Sequence, residues 1–144
     1  MKEQLEKIVE FHRTFGHAIE TSPCAQSDNF GHLRHRLGLE ELDEYLAANE
    51  NDDPVEIADA LTDQLYILLG TIVAHGMQNI IEDLFDEVHR SNMSKLGDGG
   101  KPIYREDGKI MKGPNYFKPD LGKIVYGEWA SKTAQLQIPF DEEV

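Results

Sequence analysis

The segment DPVEIADALTDQLYILLGTIVAH, residues 53–75, restricts the fold more than any other part of the chain. After its first two turns it is apolar on nearly every side, with Leu61, Leu65, Ile67, Leu68, Leu69, Ile72 and Val73. A helix of that kind has to be surrounded, so it is expected at the centre of a helical assembly. Asp53 is a suitable N-cap, Pro54 fits the first helical position, and Glu56 falls where a capping-box acid would reach back. Gly76 is the expected C-cap after His75. Against this apolar character, Asp59, Asp63, Tyr66 and Gly70 follow i, i+4, i+7, i+11, a line of acids running into the hydrophobic part.

Three more helices are expected around it. The first carries Leu5, Ile8, His12, Phe15 and Ile19 at helical spacing, with Val9 and Phe11 broadening the face. The second runs from about Phe30 to Asn49. It places Leu33, Leu37, Glu40, Glu41, Glu44 and Ala48 in one sector and Leu39, Leu42 and Leu46 in the opposite one. The fourth, within residues 79–95, aligns Ile81, Leu84, Phe85 and Val88, and that line continues into Asn92 and Lys95. Short connections between four helices predict an all-α, four-helix-bundle core. A chain of 144 residues suits one domain, with its helical core at about 1–96. Beyond Gly97 the sequence becomes rich in Gly, Pro and Lys, and YREDGKI reads as a hairpin turn. Residues 97–144 are therefore expected to form a flap and tail, with no assignment for 128–144.

Charge is segregated. Residues 1–89 hold five Lys/Arg against nineteen Asp/Glu, whereas residues 90–127 hold eight against four. Such an acidic bulk surface would repel nucleic acid, whose nonspecific binding rests on cationic contacts to phosphate. A small anion escorted by a divalent ion could sit between the acidic cluster and a basic flap. The longest apolar passage, LYILLGTIVAHGM, reads as too short to span a bilayer, and the start lacks the order of a signal peptide, so a cytoplasmic protein is expected. Cys24, the single cysteine, can form no internal disulfide.

The two acidic stripes carry the chemistry. Clustered carboxylates entering a core need a compensating cation, and no lysine lies on either helix. Oxygen ligands alone select hard ions, Mg²⁺ or Mn²⁺, rather than zinc. The competing reading is a solvated acidic face. Glu56 is left out of the ligand set because its capping position accounts for it. Asn92 and Lys95 would reach a phosphate, or else mark a fraying helix end where lysine is favoured by the macrodipole. His12 reads as a core residue. His32 and His35 have no further Cys or His partners and are assigned no metal.

Taken together these residues resemble the all-α nucleoside triphosphate pyrophosphohydrolase superfamily, which includes MazG-like proteins, dimeric dUTPases and phosphoribosyl-ATP pyrophosphohydrolase. EELDE matches its EExxE pattern at Glu40, Glu41 and Glu44, DALTDQLY resembles its second acidic motif, and NMSK matches its Asn-x-x-Lys. A phosphoribosyl-ATP pyrophosphohydrolase-like bacterial group is closer still, through EFHRTFG, DQLYILLGT, EVHRSNMSK and DGKIMKGPNYFKPDL, over roughly residues 5–125. One departure stands out. The superfamily's Glu-x-x-Asp, ending at Asp63, would put its glutamate at Ala60, and Asp59 is the expected substitute.

The resemblance implies hydrolysis of a nucleoside triphosphate, dUTP or another deoxynucleotide among the candidates, to the monophosphate and pyrophosphate. Glu41, Glu44, Asp59 and Asp63 would hold the divalent ions, and Glu40 would be a base or a supporting group. Asn92 and Lys95 would contact phosphate, with Lys109 and Lys112 closing from the flap. His12, Phe15 or Tyr116 could meet the base. The rivals are phosphoribosyl-ATP hydrolysis in histidine synthesis and a non-enzymatic, metal-stabilised helical module. Because Leu39, Leu42 and Leu46 lie opposite the acids, and the third helix is apolar nearly all round, a homodimer or higher homo-oligomer is expected.

Overall fold

Helix α1, Lys2–Phe15, is stopped by Gly16, which adopts φ 69° and donates its N–H to the His12 carbonyl. The left-handed residue turns the chain aside, so Ile19 lies beyond the helix although its spacing placed it there. The buried stripe is Leu5, Ile8, Val9 and His12. This computed structural model describes residues 1–127, and their contacts fall into two compact units, residues 1–78 and the chain from Asn79 onward. The tail segment 128–144 lies outside the described residues.

Helix α2, Asp28–Glu50, begins two residues before the expected Phe30 because the Ser27 hydroxyl accepts the Phe30 N–H at 3.3 Å. Helix α3, Pro54–Ala74, opens as its sequence dictates, with Asp53 Oδ1 accepting from the N–H of Val55 and Glu56. The expected return bond from Glu56 has no donor to take, since the Asp53 N–H is given to the Ala48 carbonyl at 3.0 Å. α3 packs against both α1 and α2, which makes it the central element of the first unit.

Small residues make that packing possible. Ala60, Gly70 and Ala74 are buried beside Leu69 and Val73 on one side of α3, letting neighbouring helices close in. The opposite side is not covered by this chain: Leu61, Leu65 and Leu68 are about half exposed. The expectation that α3 is surrounded therefore holds on one side only. Its 21 residues also make it long and apolar enough to cross a membrane by length and composition, because the helix starts at Pro54 and extends well before the apolar passage counted above.

The loop after α1 closes the C-terminal end of α3. Gln26 Nε2 donates to the Ala74 carbonyl at 2.7 Å, and the backbone N–H of Glu20 and Cys24 reach the carbonyls of Val73 and His75. These are among the carbonyls that a helix end leaves without intrahelical partners. Gly76 follows at φ 70°, against the Ser22 backbone.

The second unit contains α4, Ile81–Met93, and the short α5, Leu121–Val125, which pack together with Leu84 and Ile124 buried. The Ser91 hydroxyl donates to the Phe117 carbonyl at 2.8 Å, and the Arg90 guanidinium lies 4.2 Å over the Phe117 ring. Between the helices the flap forms one antiparallel bridge, Tyr104 to Ile110, closed by the Arg105 N–H on the Lys109 carbonyl at 2.8 Å. Gly108 at φ 83° makes the reversal possible. The described residues thus form an all-α fold with a hairpin-like flap and no extended strand.

Candidate active site

Glu41 is the acid that the fold treats differently from its neighbours. On α2 the partly or fully covered positions are Phe30, Arg34, Leu37, Gly38, Glu41, Tyr45 and Ala48, a face that turns toward α3. Helical spacing therefore carries Glu41 to the interface, where Gln64 Nε2 donates to its backbone carbonyl at 3.2 Å. Its carboxylate oxygen Oε2 is buried with no hydrogen-bond partner. Burial raises the Glu41 pKa, and the charges of Glu44, Asp63, Asp59 and Glu40 raise it further. The other four acids singled out from the sequence are thus each within electrostatic reach of Glu41.

Their burial departs from expectation. Glu40, Glu44, Asp59 and Asp63 are exposed, and Glu41 is half-buried. The stripes do not plunge into a core within one chain; only Glu41 is partly covered. Leu39, Leu42 and Leu46, in the sector of α2 opposite the acids, are each about half exposed.

Among the described residues no ion pair reaches any of the five carboxylates. Nor do three Asp, Glu, His or Cys side chains converge closely enough to hold an ion in the conformation present. The donor set still suits a hard divalent ion: it is all oxygen, strongly anionic, and includes an unpartnered buried oxygen on Glu41. The absence of lysine from the two helices does not mean the absence of cations, because Arg34 and Arg36 lie on α2. Arg34 is bonded elsewhere, to Thr71 Oγ1 and the Ile67 carbonyl.

In the second unit, Lys95 Nζ donates to Asn92 Oδ1 at 2.7 Å, so the two residues of the Asn-x-x-Lys motif are brought together. Asn92 is exposed near the end of α4, and Lys95 lies just past the helix, half-buried. The apolar line leading to them is itself only partly covered, with Phe85 62% exposed. Lys109 is exposed in the hairpin turn, and Lys112 Nζ lies 4.4 Å over the Tyr116 ring. Of the candidate base contacts, His12 is buried with Nδ1 2.7 Å from the Ala18 carbonyl, as expected of a core histidine. Phe15 stacks near Phe11 at 4.5 Å between ring centres and remains largely exposed.

Carboxylates gathered on two adjacent helices of an all-α fold are the arrangement that the first unit presents. Residues 8–92, more than half of the chain, match the phosphoribosyl-ATP pyrophosphohydrolase family, and the chain belongs to that family, within the MazG-like all-α nucleoside triphosphate pyrophosphatase superfamily. No curated protein matches it. Membership makes it a pyrophosphohydrolase for a nucleotide-type substrate.

Proposed function

We propose that this soluble enzyme acts in the cytoplasm, cleaving a nucleoside triphosphate such as dUTP or another deoxynucleotide to the monophosphate and pyrophosphate in clearing the nucleotide pool. The observation that carries the reading is the partnerless buried oxygen of Glu41 among four further carboxylates. Glu41, Glu44, Asp59 and Asp63 would hold Mg²⁺ or Mn²⁺, with Glu40 beside them as base or support. Bound there, a divalent ion supplies charge neutralisation for the phosphates and lowers the pKa of a coordinated water. The Asn92 amide and the Lys95 ammonium orient phosphate oxygens, and Lys109 and Lys112 add positive charge from the flap as negative charge grows on the leaving pyrophosphate.

A second reading has its own support. The family match fits hydrolysis of phosphoribosyl-ATP, as in histidine synthesis, at least as well. Product analysis across a nucleotide panel that includes phosphoribosyl-ATP separates the two. Pyrophosphate release is expected with Mg²⁺ or Mn²⁺ and is expected to cease on chelation. Undiminished release after thorough removal of divalent ions, or none from any nucleotide, would sink the reading and in the second case leave a helical binding module.

The working unit is a homodimer or higher homo-oligomer. Leu39, Leu42 and Leu46 on α2 and Leu61, Leu65 and Leu68 on α3, all 45–56% exposed, leave large apolar side chains in water on both helices. A second copy of the chain would cover them. Light scattering at low micromolar concentration is expected to give at least twice the 16.3 kDa chain mass. A fully active monomer under those conditions would exclude an obligate shared site.

A further inference from the structure

The most unusual polar group outside the carboxylate cluster is Arg34, a cation set into the α2–α3 interface with no carboxylate to meet it. Its Nε donates to Thr71 Oγ1 at 2.9 Å, and its Nη2 donates to the Ile67 carbonyl. Thr71 Oγ1 itself donates to the same carbonyl at 2.9 Å, so one turn of α3 holds the guanidinium fork from two points. Among the described residues no ion pair reaches Arg34. Burial lowers the Arg34 pKa, and what offsets that cost is hydrogen bonding to a backbone and a hydroxyl oxygen of α3.

Room for the fork is created by Gly70. A Cβ at that position would stand 2.8 Å from Arg34 Nη2 and 3.0 Å from His12 Nε2. The neighbouring imidazole is pushed toward its neutral form beside the guanidinium: burial lowers the His12 pKa, and the His17 and Arg34 charges lower it further, against the opposing Ala18 carbonyl bond. With Nδ1–H donated to Ala18, Nε2 is left as an acceptor on the Gly70 side. α1, α2 and α3 therefore meet at one polar point.

We propose that Arg34 is a positioning residue that fixes the register of α2 on α3 and thereby holds Glu41 in place among Asp59, Asp63 and Glu44. Arg34 and Glu41 are seven residues, about two turns, apart on one face of α2. Each is tied to α3, the first through Ile67 and Thr71 and the second through Gln64. Sliding α2 by one residue would shift it by about 1.5 Å and turn it by about 100°; the next backbone carbonyl could then replace that of Glu41 at Gln64, whereas the side-chain fork of Arg34 would lose both its partners. Apolar contacts alone tolerate such slips because they are not directional. The functional part of this proposal rests on the carboxylates being the metal site; the register itself does not.

The test compares the full-length protein with R34M, which keeps length and apolar bulk, R34K, which keeps a point charge without the fork, and G70A, which leaves arginine in the sequence but fills its slot. Hydrogen exchange without added metal is expected to accelerate at least tenfold from residue 34 through Glu41–Ala48 in R34M and G70A, with R34K intermediate and helicity unchanged. Exchange altered only within one turn of residue 34 would overturn the proposal. Mn²⁺ affinity and kcat are expected to fall at least fivefold together in R34M while KM changes less. Unchanged Mn²⁺ affinity and kcat in a folded R34M would likewise reduce Arg34 to a structural role. Should the parent protein neither bind Mn²⁺ nor hydrolyse a nucleotide, the metal reading fails on its own, and the exchange measurement still decides the register.

Discussion

Glu41→Gln is expected to lower metal-dependent turnover by about 10²- to 10³-fold while the helical content is retained. The substitution is near-isosteric, and Glu41 makes no side-chain hydrogen bond through Oε2 that glutamine would break. What disappears is the charge, and with it the buried, unpartnered carboxylate oxygen proposed to meet the ion. Asp63→Asn should act alike from the facing helix. The two variants should also be no less stable than the parent in the absence of divalent ions, because each removes a like-charge contact around Glu41. Added Mn²⁺ should raise the melting temperature of the parent and leave that of Glu41→Gln nearly unmoved, since an ion stabilises only the fold that binds it. A Glu41→Gln protein with most of its turnover and an intact Mn²⁺ response would remove Glu41 from the ligand set.

Gly76→Ala is expected to destabilise the chain by about 3 kcal/mol, the combined effect of a left-handed backbone and a steric overlap. Gly76 has φ 70°, and a Cβ there would lie 2.1 Å from the Ser22 carbonyl oxygen. Backbone against backbone leaves no flexible side chain to move aside. Gly16→Ala supplies the control, because Gly16 has nearly the same φ of 69° with nothing within 4 Å of the added carbon. That variant should lose only the backbone part, about 1 kcal/mol. Urea unfolding midpoints compare them; equal shifts would show that the Ser22 loop yields freely and does not fasten the end of α3.

The helix boundaries were legible wherever a local residue sets them. Asp53 and Pro54 start α3, and Gly76 follows its end, because capping chemistry acts over a few neighbouring residues. Ile19 misled, since its spacing continues a face that Gly16 has already ended. The acids were legible as a group through helical spacing, yet their depth was not. Spacing reports which residues share a side of a helix and says nothing of what lies opposite. Periodicity therefore treated Glu40, Glu41 and Glu44 alike, where the α2–α3 contact distinguishes Glu41. Arg34 was the larger omission. Its signal was a lone arginine among Phe30, Leu37 and Gly38, matched by a glycine at position 70 in a helix otherwise rich in large side chains. That pairing acquires meaning when the two helices are set side by side.

The contact between Lys95 and Asn92 has a consequence for how a phosphate would be received. A lysine waiting in a salt bridge must surrender one anion to accept another, and the exchange gives little net attraction. Lys95 is steadied by a neutral amide oxygen instead, so its side chain is aimed without being discharged. An incoming phosphate replaces a dipole, and the full positive charge remains available to it.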